Sequence, residues 1–247
     1  MIKPKPPNPK MSICIPTYEY HGKGVKYLTE LLDTITTQTF KDFDIVISDQ
    51  SKNSDIKDLI NTYSDLAITY IKNSDGGNSI SNTNNAVRHA TGKIIKIIFQ
   101  DDLFVSNNAL EKINSAFDYN GCKWLVSGCN HTLDGKIFNR NHIPMWNPRM
   151  LYGVNTIGAP SVLSFINENV KEFDANIITL MDCEYYYQLH KEYGLPYALN
   201  DIQIGIRGCE ASVSSQPGGY LHADGNPNLN KEIDYVISKH QLNRVSQ

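Results

Sequence analysis

The sequence lacks the marks of several large protein classes. No apolar run approaches the ~20 residues that carry a helix across a bilayer. Cysteine is scarce: Cys14, Cys122, Cys129, Cys183 and Cys209 are odd in number and form no C-x-x-C pair. That argues against a disulfide framework or a structural zinc site and for a reducing, cytoplasmic compartment. Neither charge sign dominates. Lys and Arg total 23 against 26 for Asp and Glu, a net charge of −3, so the chain does not grip nucleic acid by bulk charge. The seven histidines make no H-E-x-x-H, and the sequence has neither G-x-x-x-x-G-K-[ST] nor G-x-S-x-G. Zincin, P-loop and serine-hydrolase readings therefore lack support. Gly22-Lys23-Gly24 starts like a dinucleotide fingerprint. However, the preceding strand ends at Pro16, and Tyr27 stands where the third glycine belongs.

What is present is a chain of 247 residues, 40% hydrophobic and 20% charged, long enough for one large domain or two small ones around a proper core. The leader MIKPKPPNPK is basic and proline-rich with no apolar segment. It reads as an extended, solvated tail rather than a signal peptide, with a peripheral membrane-surface or partner contact as the alternative. Heavy use of Asn and Ile suits an AT-rich genome, viral or bacterial, and a viral source would place the protein in the host cytoplasm.

The first hundred residues alternate strand and helix. MSICIP (11–16), FDIVIS (43–48), AITYI (67–71) and KIIKIIF (93–99) read as buried strands. Between them, Val25, Leu28, Leu31, Leu32 and Ile35 recur at helical spacing, and 55–63 and 80–90 read as helices. This pattern predicts an α/β fold, a mostly parallel sheet flanked by helices. Ligands in such sheets sit at the carboxyl ends of strands, here Thr17-Tyr18-Glu19, Asp49-Gln50-Ser51 and Gln100-Asp101-Asp102. Further on, 106–117 reads as a helix, 124–128 as a strand and 157–166 as a strand. Segment 179–193 reads as a helix closed by Gly194, 197–206 as a strand pair and 229–242 as a final helix.

The residues themselves leave alternatives open. The pair Asp101-Asp102, at the tip of a buried strand, suits a hard divalent cation or caps the next helix. Asp49 accepts from a ribose or base, or opens an Asx turn. Asp182 and Glu184, two apart on a helix, face different sides, so at most one enters a shared cleft. His222 lies in a glycine-rich loop, 214–224, that could close over a ligand around Gly218 and Gly219.

The order of motifs is more specific than any one of them. Ile15-Pro16-Thr17-Tyr18-Glu19, Ser48-Asp49-Gln50-Ser51, Asn82-Thr83-Asn84 leading to Ala90-Thr91-Gly92, Phe99-Gln100-Asp101-Asp102, Ile157-Gly158-Ala159-Pro160-Ser161 and Met181-Asp182 follow one another. From about 11 to 214 the sequence resembles the family 2 glycosyltransferases of GT-A fold. The resemblance implies a single GT-A domain at 11–228, with a nucleotide-binding half (11–105) and an acceptor half (106–228), a leader at 1–10 and a C-terminal helix at 229–247. It implies an inverting, Mn²⁺- or Mg²⁺-dependent transfer from a nucleotide sugar, UDP-linked, to a glycan or lipid-linked acceptor. Pro16, Thr17, Tyr18, Glu19, Asp49, Asn84, Gln100 and Asp101 would bind the nucleotide. Asp101 with His222 would hold the metal, Asp182 would be the base, and Trp146, Gly158, Ala159 and Pro160 would line the acceptor side. Phe99, Gln50, Thr83 and Met181 depart from the family pattern, and Cys209 stands where relatives often carry a histidine. The alternatives are a nucleotide-sugar-binding protein without transfer, or a nucleotidyltransferase.

Overall fold

The three longest apolar runs near the N-terminus become the centre of one sheet. In the computed structural model, which describes residues 8–74, 78–208 and 227–242, nine strands and six α-helices are found. Strands β1 (Met11–Thr17), β2 (Phe43–Asp49), β3 (Ile68–Lys72) and β4 (Ile94–Ile97) form a parallel array in the order β3-β2-β1-β4. Every residue of β1, β2 and β4 is buried, because helices cover both faces of such a sheet. The edge strand β3 is half-buried. The helices between them are α1 (Gly24–Thr36), α2 (Asp55–Ile60) and α3 (Ser79–Arg88). On α1 the buried stripe is Tyr27, Leu28, Leu31, Leu32 and Ile35, while Val25 is exposed.

Beyond β4 the sheet is mixed. After β5 (Leu103–Phe104) and α4 (Ala109–Asn120) come β6 (Trp124–Thr132), β7 (Phe138–His142), β8 (Leu163–Ile166), α5 (Met181–Tyr193), β9 (Tyr197–Arg207) and α6 (Pro227–His240). The order continues β4-β8-β6-β9-β5, with β7 hydrogen-bonded to β6. The expected strand at 157–166 is instead a 3₁₀ turn, Pro160–Val162, leading into the shorter β8. Gly158 at φ 120° turns the chain, and Pro160 has no N–H for a ladder. The expected pair at 197–206 is one strand whose register against β6 shifts around Gly128.

Register aligns the carboxyl ends: Thr17 lies opposite Asp49, and Asp49 opposite Lys72. The Thr91-Gly92 turn packs onto the start of β1. A Cβ on Gly92 would sit 2.4 Å from the Ser12 nitrogen, and the Ser12 hydroxyl accepts from the Thr91 and Gly92 N–H groups at 3.1 and 2.8 Å.

Helix α6 starts at Pro227, ahead of the expected 229, and binds α5 and the segment before it through charge. The Glu232 carboxylate accepts from the N–H groups of Ile178, Thr179 and Leu180 at 3.1, 2.9 and 3.0 Å, just ahead of α5. The Lys239 ammonium meets Asp174 at 2.7 Å and Glu184 at 2.9 Å. Among the described residues no helix is long and apolar enough to cross a membrane.

Candidate active site

At the strand tips, Asp49 is fully buried. Its Oδ2 accepts from the Tyr70 hydroxyl (2.7 Å) and the Lys72 ammonium (3.3 Å), and its Oδ1 from the Ser51 N–H (2.8 Å). Burial, then Asp49, pushes the Tyr70 phenol well above its ordinary pKa, so it stays a donor. Pro16 and Thr17 are buried, and the Thr17 hydroxyl donates to the Ser48 carbonyl at 3.2 Å. They shape the strand end and offer no open polar side chain. Tyr18 and Glu19 are half-buried. The Gln100 amide clamps Tyr18 by accepting from its N–H (2.7 Å) and donating to its carbonyl (3.0 Å).

Asn84 does not join this group. Its amide donates to the Phe173 carbonyl and accepts from the Phe173 N–H, both at 2.8 Å, in a buried position. Its helical phase turns it away from the strand tips, and neighbouring Asn82 and Asn85 face β1 and β2 instead, on Thr17 and Ser48. Gly22-Lys23-Gly24 is explained sterically: a Cβ on Gly24 would lie 2.3 Å from the Tyr18 carbonyl oxygen.

The carboxylate pair sits between β4 and β5. Helix α4 starts at Ala109 with Asn108 ahead of it, so neither aspartate caps it. Asp101 Oδ2 accepts from the Tyr20 hydroxyl at 2.9 Å. Asp102 Oδ1 accepts from the Arg207 N–H at 2.8 Å, and the Arg207 Nε–H donates to the Asp101 carbonyl at 2.9 Å. Burial raises both carboxyl groups above the usual range, and Asp101 raises Asp102 further. Adjacent carboxylates of this kind, Asp102 buried and Asp101 half-buried, fit a hard divalent cation, which takes oxygen ligands. Among the described residues no cluster of three or more His, Cys, Asp or Glu surrounds them. A Mg²⁺-like ion suits so sparse a set, since it takes its remaining ligands from phosphate and water. His222, Cys209 and the loop 214–224 lie outside the described residues.

The residues expected on the acceptor side gather along α5. Asp182 stands in its first turn, buried, and Asn155 donates to its Oδ2 at 2.7 Å. The same Asn155 amide donates to the Gly158 carbonyl at 3.1 Å and accepts from the N–H groups of Ile157 and Gly158. One turn on, the Tyr186 hydroxyl donates to the Gly158 and Ala159 carbonyls at 3.0 and 3.2 Å. One turn further, His190 stacks on Trp146 with ring centroids 4.0 Å apart. Glu184 points the other way, to the His240 ring at 2.8 Å and Lys239.

The turn at 158–162 links the two sides. The Ser161 hydroxyl accepts from the Phe99 N–H at 2.8 Å, just before the aspartate pair, and also holds Asp102. The fully buried Lys96 donates to the carbonyls of Ser161 and, at 3.5 Å, Leu163. Lys96 had a sequence signal, a charge inside KIIKIIF. Tyr20, Tyr70, Lys72, Asn155 and Arg207 had none.

These elements define an α/β sheet enzyme fold with polar clusters at its strand tips, and the comparisons make it specific. Residues 12–178, more than half of the chain, match the model of glycosyl transferase family 2. The chain belongs to that family. Over 95 residues it is 30% identical to the UDP-Glc:alpha-D-GlcNAc-diphosphoundecaprenol beta-1,3-glucosyltransferase WfaP of Escherichia coli, covering 38% of this chain and 37% of that one. It spans about a third of the length of the first curated relatives it matches. Its fold is the GT-A fold. It superposes with TM-score 0.63 on residues 1–349 of S. aureus TarS in complex with UDP-GlcNAc, at 16% identity, covering 92% of this chain and 66% of that one. The mannosyltransferase PcManGT of Pyrobaculum calidifontis, in complex with GDP-Man and Mn²⁺, gives TM-score 0.61 at 16% identity, covering 97% and 77%.

Proposed function

We propose that this chain is an inverting, metal-dependent glycosyltransferase. It moves a sugar from a UDP-linked donor to a hydroxyl on a glycan or lipid-linked acceptor. One observation carries the reading: the turn 158–162 is tied through Ser161 to Phe99 and Asp102, and through Gly158 and Ala159 to Asn155, Tyr186 and hence Asp182. A carboxylate pair suited to a diphosphate-bound cation and a buried carboxylate suited to a base thus share one structural support. The nucleotide-sugar complexes of TarS and PcManGT, and the diphosphoundecaprenol acceptor in the WfaP name, support the donor and acceptor classes.

In this reading Tyr18, Glu19 and the Asp49–Lys72 cluster receive the base and ribose. Asp101 would hold Mn²⁺ or Mg²⁺, which offsets charge on the departing diphosphate. Asp182 accepts the proton of the acceptor hydroxyl as its oxygen bonds to the anomeric carbon and the bond to the diphosphate breaks from the opposite face. It stands in the first turn of α5, where the helix dipole favours negative charge. Tyr186 and Asn155 fix the turn against which the acceptor lies, and Trp146 offers a half-buried aromatic face for a sugar ring. An acceptor on a polyprenyl diphosphate would bring the chain against a membrane surface.

The test is a panel of UDP-, GDP- and dTDP-sugars with and without Mn²⁺, read as nucleotide released. One UDP-sugar is expected to be consumed when metal is present. Donor binding with no release, alone or with acceptor, would leave a binding protein. Equal release without metal would remove the cation.

A further inference from the structure

We infer that Tyr20 is a positioning residue for Asp101: its hydroxyl takes one carboxylate oxygen, Oδ2, and leaves Oδ1 for the cation. The inference rests on the metal-dependent reading above.

The chain goes to some lengths to place this hydroxyl. Tyr20 and His21 both adopt left-handed backbone, φ 47° and 52°, a conformation costly for residues with side chains. The turn is held by the Glu19 carbonyl, which accepts from the N–H groups of both Gly22 and Gly24 at 2.9 Å. The result turns Tyr20 inward to 7% exposure, while His21 beside it stays exposed.

A closed circuit then runs around Asp101. Its side chain meets the Tyr20 hydroxyl at 2.9 Å. The Tyr20 ring packs edge-on against Tyr27, centroids 5.3 Å apart at 80°. Over the Tyr27 ring, at 4.5 Å, lies the Arg207 guanidinium. Arg207 returns to the Asp101 carbonyl at 2.9 Å, and its other end is ion-paired to Glu30 on α1. Main chain and side chain of Asp101 are thus fixed by two elements far apart in sequence, the loop after β1 and the end of β9. A purely packing role for Tyr20 would be filled as well by phenylalanine. The hydroxyl adds one directed donor to a charged acceptor, which sets the rotamer in which Asp101 meets a cation.

Tyr20→Phe keeps the ring contacts and removes that donor. Mn²⁺ binding is measured by electron paramagnetic resonance of the free ion, in saturating UDP and without turnover. The variant is expected to bind Mn²⁺ about tenfold more weakly, the scale of one hydrogen bond to a charged group. Its melting temperature should fall only by the few degrees that one lost hydrogen bond costs. At saturating Mn²⁺ its kcat should fall while the donor KM stays within about twofold. Unchanged Mn²⁺ affinity and kcat, or tighter Mn²⁺ binding, would overturn the role of Tyr20 and leave the metal site standing. Absence of Mn²⁺ binding by the wild type, with UDP present, would instead overturn the metal-dependent reading and this inference with it.

Discussion

Asp182→Asn is expected to bind donor as the wild type does and to lose transfer by about a hundredfold to ten-thousandfold, the usual contribution of a positioned general base. The loss should fall on kcat. Asp182 is held by Asn155 and its own helix and is assigned to the acceptor, so donor affinity is expected to stay the same. The amide cannot accept the acceptor's proton. It also meets the Cys183 N–H, which donates to Asp182 Oδ1 at 2.7 Å, less well, a cost of about 1 kcal/mol in stability. Rates within threefold of wild type would remove Asp182 as the base. Weakened donor binding with unchanged kcat would move it to the donor side.

Lys96→Met is expected to change how stability depends on pH. Burial lowers the Lys96 amine from its ordinary value to about 7, with Asp102 opposing. In the unfolded chain the same amine keeps its proton to about pH 10.4. Between those values the unfolded state binds the extra proton, so wild-type stability rises with pH, by at most about 1.4 kcal/mol per unit. The Cys122 and Cys129 thiols, pushed up to about 11 and 12 by burial, act with the opposite sign above roughly pH 9. The clean window is therefore pH 7 to 9. Denaturant unfolding across it should show a rise in the wild type and a flat line in Lys96→Met, with the variant the more stable at pH 7 because methionine fills the site without a buried charge. Parallel profiles would mean that Lys96 stays protonated in the fold.

The parallel half of the sheet was legible because strands covered on both faces read as unbroken apolar runs, and their tips fell where the runs stopped. That rule placed Asp49 and Asp101 at strand tips without any long-range information. Strand β7 (FNRNH) was not legible: four of its five residues are polar and three are exposed, so no apolar period marks it. The two-residue β5 is too short to carry one. At 157–166 an apolar run was read as a strand, although Gly158 and Pro160 break the ladder at its start. Motif matching placed Asn84 in the nucleotide site, but the phase of α3 aims it at Phe173. It could not reveal Tyr20 or Arg207 either, because their roles come from contacts to Asp101 across 81 and 106 positions of chain. That Asp182 and Glu184 face different sides was legible from helical spacing, and the structure pairs Asp182 with Asn155 and Glu184 with Lys239 and His240 of α6.

The central claim is that a nucleoside diphosphate binds through a cation on Asp101. Calorimetric titration of UDP into the wild type and Asp101→Asn, with and without Mn²⁺, tests it most directly. UDP should bind the wild type at least tenfold more tightly with Mn²⁺, and the variant should show no metal effect. Equal UDP affinity with and without metal, or a metal effect that survives in Asp101→Asn, would contradict it.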